Sequence, residues 1–181
     1  MMKKTLIKQI AMIGAVVVGM LAFGGTTQAS AANYHFNSRT ITYHVSASSK
    51  RWKNIWAKAI HNFDNNGTIK LKAASKKKAK MQLTTFSNTG HYKGVLGPIE
   101  ASFGTNEKVF THTYVKLNWK LMNKYGYTNK QRMCVATNRI AGALGLSDSS
   151  AKNSVLNDNE WNYRLTAGDK LAIAKAYKGV K

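Results

Sequence analysis

Trp52, Ile55, Trp56, Ala59, Ile60 and Phe63 recur at three- and four-residue intervals and form one continuous apolar stripe on a helix. A face carrying three large aromatic rings has to be covered, so the chain must supply a sheet or further helices as a second layer. Trp52, Trp56 and Phe63 are therefore expected in the core rather than on a ligand platform. Just upstream, Ile41, Tyr43 and Val45 alternate with Thr40, Thr42 and His44, the period-2 pattern of a half-buried strand. Ser48 or Ser49 caps the helix between them, and Asn65-Asn66-Gly67 ends it in a turn.

The rest of the chain continues this mixture. Residues 69–73 and 79–86 read as two strands joined by a lysine-rich connection, and 87–93 as a loop. Residues 94–103 hold one or two short extended pieces around Pro98, and 112–117 form a strand with Thr113, Val115 and Leu117 on one face. Residues 119–127 read as a short turn of helix and then a loop. Thr128 and Gln131 make a capping box for a second long helix, with Met133, Ala136, Thr137, Ile140 and Leu144 on its buried face and Gly145 as its stop. Thr166 and Asp169 open a last helix that ends near Tyr177. No repeat or linker divides this stretch, which points to one α/β domain.

The first residues read as a secretory leader. Lys3, Lys4 and Lys8 form a positive start, Ile10 to Phe23 is an uncharged apolar run, and Ala29-Ser30-Ala31 has the small-x-small pattern of a cleavage site. The apolar run is shorter than the ~20 residues that span a bilayer. The expectation is a leader over residues 1–31, a secreted domain over 32–181, and no transmembrane segment after cleavage. The single cysteine, Cys134, has no partner within the chain, so the domain must fold without an internal disulfide. A buried apolar role suits it better than a nucleophilic one, because no base or activating neighbour is evident.

Lys and Arg number 28 against 7 Asp and Glu; the leader holds three of the lysines, which leaves +18 on the remainder. Such a charge favours anionic polymers and surfaces without choosing among them. Its densest part is Lys70, Lys72, Lys76, Lys77, Lys78 and Lys80. These lysines read either as a solvated hairpin edge that discourages strand pairing between molecules or as a patch for anionic cell-surface polymer. No aromatic side chain is interleaved with them, so nothing in the run points to nucleic acid.

Residues 135–148 read V-A-T-N-R-I-A-G-A-L-G-L-S-D. This segment resembles the active-site helix of the matrixins, metzincin zinc peptidases with the pattern H-E-x-x-H-x-x-G-x-x-H. Ala143-Leu144-Gly145-Leu146-Ser147 matches the family's A-L-G-L-S, with Gly145 where the helix breaks. Ser154-Val155-Leu156 resembles the S-V-M of the Met-turn with Leu156 for methionine. Leu165-Thr166, Asp169 and Tyr177 resemble the closing L-T-x-x-D…Y helix, and the likeness spans most of 40–177. It implies a matrixin-like α/β domain: a twisted, mainly parallel sheet of about five strands, two long helices and a C-terminal helix. It also implies a peptide-binding strand just ahead of the active-site helix, most like Gly94, Val95 and Leu96.

The catalytic residues are substituted. Asn138 and Gly142 stand at the first two ligand positions, Arg139 at the glutamate position and Asp148 at the third ligand position. Some metzincin relatives use aspartate at that last place. Gly142 has no donor, an asparagine amide is a poor zinc ligand, and Arg139 puts a fixed cation where a metal and a general base belong. The expectation is a pseudoprotease without cofactor, acting by binding a peptide or an anionic surface polymer. The alternative is a zinc endopeptidase with a rearranged site, for which His91, His112 and Asp148 are the candidate ligands. The remaining histidines, His35, His44 and His61, stand at no metal-ligand spacing, and the scattered acids offer no calcium site. A further alternative is a cationic surface-binding protein for which the fold is only a carrier.

Overall fold

The computed structural model describes residues 34–47 and 49–181; the expected leader, its cleavage site and Ser48 lie outside the described residues. The elements are β1 (His35–Phe36), β2 (Thr40–Ser46), α1 (Lys50–His61), β3 (Lys70–Ala73), β4 (Met81–Phe86), β5 (Ile99–Phe103), β6 (Val109–Asn118), α2 (Trp119–Lys124), α3 (Asn129–Ala143) and α4 (Ala167–Ala176), with a 3₁₀ turn at Gly90–Tyr92. Ser49 caps α1 by accepting from Trp52 N–H. The Thr128–Gln131 box caps α3 and Thr166–Asp169 caps α4, as their sequences predict.

The fold is α/β, with a mostly parallel sheet of six strands in the order β1-β6-β4-β2-β3 and β5 antiparallel on β6. Thr113 of β6 pairs with Met81 of β4 and with Ala101 of β5, so these strands flank β6 on opposite sides. Phe110 likewise pairs with Phe36 of β1 and Phe103 of β5. β1 and β4 thus lie end to end on one side of β6, while β5 and β3 form the two outer edges. The sixth strand, β1, has only two residues, too short for periodicity to reveal it.

Ile41, Met81, Leu83, Val115 and Leu117 share one sheet face and are buried with Trp56 of α1, Phe63 in the turn just after it, Ile140 of α3 and Leu144 at the α3 terminus. The opposite parity carries Thr42, Gln82, Thr84 and Tyr114, so this second face is polar. The two strands expected to join in a hairpin do not pair with each other. β3 pairs with the first half of β2 and β4 with its second half, on the other side. Residues 74–80 therefore cross over β2, as a parallel arrangement requires.

Candidate functional site

α3 brings the motif positions to one end of the sheet. Asn138 is buried, at 7% exposure, and its Nδ2 donates to Val155 O at 3.0 Å. That bond ties the helix directly to the Ser154-Val155-Leu156 turn. Arg139 Nη2 donates to both carboxylate oxygens of Asp158 at 3.2 Å. Its aliphatic stem passes over Gly97, where an added Cβ would stand 2.8 Å from Arg139 Cγ. Arg139 thus spans from the chain ahead of β5 to the loop beyond the turn. At Gly142 an added Cβ would meet Ile99 Cδ1 at 2.9 Å, so the missing side chain lets β5 lie close to α3.

Gly145 ends the helix with φ +90°, and an added Cβ would lie 1.9 Å from Tyr34 O. Both the left-handed backbone and the close approach demand glycine. Asp148 follows on the surface. Partial desolvation and the nearby Asp158 charge push its carboxyl up, and Arg139 opposes them. Arg139, Asp148 and Asp158 therefore make one local charge group.

The turn is held from below by Asp169, which is fully buried. Its carboxylate accepts from Ser154 Oγ (2.6 Å), Val155 N–H (3.2 Å), Thr166 N–H (2.8 Å) and Thr166 Oγ1 (2.8 Å). Four donors and the α4 N-terminus offset the cost of burying this charge. Leu156 fills the core at 1% exposure, and its carbonyl accepts from Ser149 N–H at 3.0 Å. Tyr177 OH donates to Leu144 O at 3.1 Å and fastens α4 to the end of α3, while burial pushes the phenol well up.

The donors do not suit zinc. Among the described residues no three His, Cys, Asp or Glu side chains come together as a metal site. His91 lies in the 3₁₀ turn against the Tyr92 ring, His112 on the polar face of β6, and Asp148 beyond α3. His35 is engaged with Phe36 O, His44 with Ala74 O and His61 with Asp64. The Asn138 amide is spent on Val155.

Gly94, Val95 and Leu96 occupy the turn before β5 rather than a strand. Gly94 N–H donates to Asn88 Oδ1, and Val95 O and Leu96 O accept from Asn118 Nδ2 and Asn118 N–H. The sheet edge nearest α3 is β5 itself. Lys116 N–H donates to Pro98 O, and antiparallel alternation then aims the Glu100 backbone at β6 and the Ile99 and Ala101 backbone outward.

The six lysines of the run are all exposed. Cys134 is buried, and that burial raises its thiol. Arg132, unremarked in the helical pattern, is also buried, at 3% exposure where Met133 is only half-buried. It donates to Asn123 Oδ1 and sits over the Trp52 ring at 5.2 Å. Its position three residues before Val135 carried no sequence signal, because a guanidinium is rarely placed on an apolar face. A groove of about 540 Å³ between the turn after α1, the start of β2 and β3 is lined by Arg39, Phe63, Asp64 and Lys70 and by none of the motif residues. No helix among the described residues is long and apolar enough to cross a membrane.

No protein-family model matches this sequence, and no curated protein matches it significantly.

Proposed function

We propose that this chain is an exported, matrixin-like protein that has lost the peptidase centre and works by holding an extended peptide along the outward edge of β5. One observation carries the reading. Asn138 and Arg139, at the positions of the first zinc ligand and the glutamate in the pattern the sequence resembles, are engaged in protein contacts, Asn138 with Val155 and Arg139 with Asp158. The sheet order, with one antiparallel outer strand beside the motif helix, also supports it. An unpaired strand edge binds peptide through backbone hydrogen bonds, which need no catalytic side chain.

Two measurements test this function. Elemental mass spectrometry of the untagged domain, purified without chelator, is expected to find far less than one zinc per chain. One zinc per chain would overturn the reading and make an endopeptidase with a rearranged site the better account. Ala101→Pro removes an outward N–H while leaving the β5–β6 bonds in place, so it should weaken binding of extended peptides selected from a library. Unchanged binding in a folded Ala101→Pro variant would exclude the β5 edge.

A further inference from the structure

The lysine run remains unexplained by the cleft. Edge protection accounts for Lys70 and Lys72, which lie on the outer strand β3. It does not account for Lys76, Lys77, Lys78 and Lys80, which lie on the crossover above β2, where no strand edge is open.

That crossover is fixed to the sheet. Thr42 Oγ1 donates to Lys78 O at 3.0 Å and accepts from Lys80 N–H at 3.1 Å. Gln82 Nε2 donates to Lys76 O at 2.7 Å, and Lys78 N–H and Ala79 N–H both donate to Ser75 O at 3.0 Å. Ala79 is buried at 1% exposure and anchors the segment. Lys70 and Lys72 pair with Thr40 and Thr42, so they share the face that the crossover covers. The ammonium groups therefore stand on backbone already ordered before any ligand arrives, which lowers the cost of binding.

No compensating acid is near in sequence: residues 65–99 contain neither Asp nor Glu. None of the six lysines takes part in a salt bridge among the described residues. We infer that this crossover and β3 form a docking surface for a phosphate-bearing polyanion, a flexible chain of repeated phosphate charges. The chemistry favours phosphate as a series of point charges. All six cations are lysines, while the planar, bidentate recognition supplied by arginine is absent from the run. The run also lacks the aromatic platforms on which nucleobases stack. The inference is independent of the β5 edge.

The test is binding of short-chain inorganic polyphosphate to the whole domain over a range of salt concentrations. Lys76→Ser/Lys77→Ser/Lys78→Ser should weaken binding at least about tenfold and flatten the log affinity against log salt slope by about two. The control Lys152→Ser/Lys175→Ser/Lys178→Ser removes the same charge from other exposed positions and should change affinity less than about threefold. Equal losses in the two triple variants would overturn the inference, because overall charge alone would then explain binding. Tighter binding of single-stranded DNA than of polyphosphate at equal phosphate number would also overturn it and assign the surface to nucleic acid. Thermal melts of both variants verify that each is folded.

Discussion

The side-chain amide of Asn138 donates to the main-chain oxygen of Val155 across 3.0 Å, joining α3 to a turn 17 residues further along the chain. In a zinc peptidase frame the histidine at this place would reach toward a metal. Here the same position makes a neutral bond between two buried segments, and Arg139 closes the neighbouring gap with Asp158.

Asn138→Ala should lower stability by about 1–3 kcal/mol, since it leaves the Val155 carbonyl buried without its donor. Denaturant titration measures the loss. Chelator should leave the parent's melting temperature unchanged, because Asn138 Nδ2 joins the helix to the turn by a direct bond to Val155 O.

The triple reversion Asn138→His/Arg139→Glu/Gly142→His should be destabilised without metal and recover on adding zinc. The histidine at 142 must displace Ile99 Cδ1, so adding Ile99→Val should ease folding. A folded revertant whose melting temperature ignores zinc would remove the basis for the matrixin resemblance.

Gly145→Ala should cost more than about 2 kcal/mol, combining a left-handed backbone with a direct collision. The collision is with Tyr34 O, so hydrogen exchange should show β1 loosened from β6 before the rest of the sheet responds.

His112 should titrate below the ordinary value of 6.5, first because of burial and then because of Lys80. An NMR titration of its ring protons gives the midpoint, and Lys80→Met should raise it. The sign follows from linkage: the folded state disfavours the proton, so this group's contribution is full above 6.5 and is lost as pH falls through the folded midpoint.

Much of the architecture was legible because it rests on local signals. The Trp52–Phe63 stripe, both capping boxes and the Gly145 stop are short-range patterns, and each stands as its residues dictate. Strand partners were not legible. Lys70–Ala73 and Met81–Phe86 are neighbours in sequence, yet β2 lies between them, a choice made by long-range pairing that local spacing does not encode. The site divides in the same way. The residue types at 138, 139, 142 and 148 could be read directly, whereas the Arg139–Asp158 bridge and the reach of Asp169 to Val155 depend on how separate turns meet.

The close fit of Gly145 against Tyr34 also orders assembly in time. β1 needs β6 as its partner and the turn after α3 as its seat, and that turn comes more than a hundred residues after Tyr34. The earliest of these residues to leave the ribosome are thus among the last to find their contacts. A nascent chain halted before α3 would hold the segment around Tyr34 without its seat, and completion of the domain would be registered by the covering of that segment.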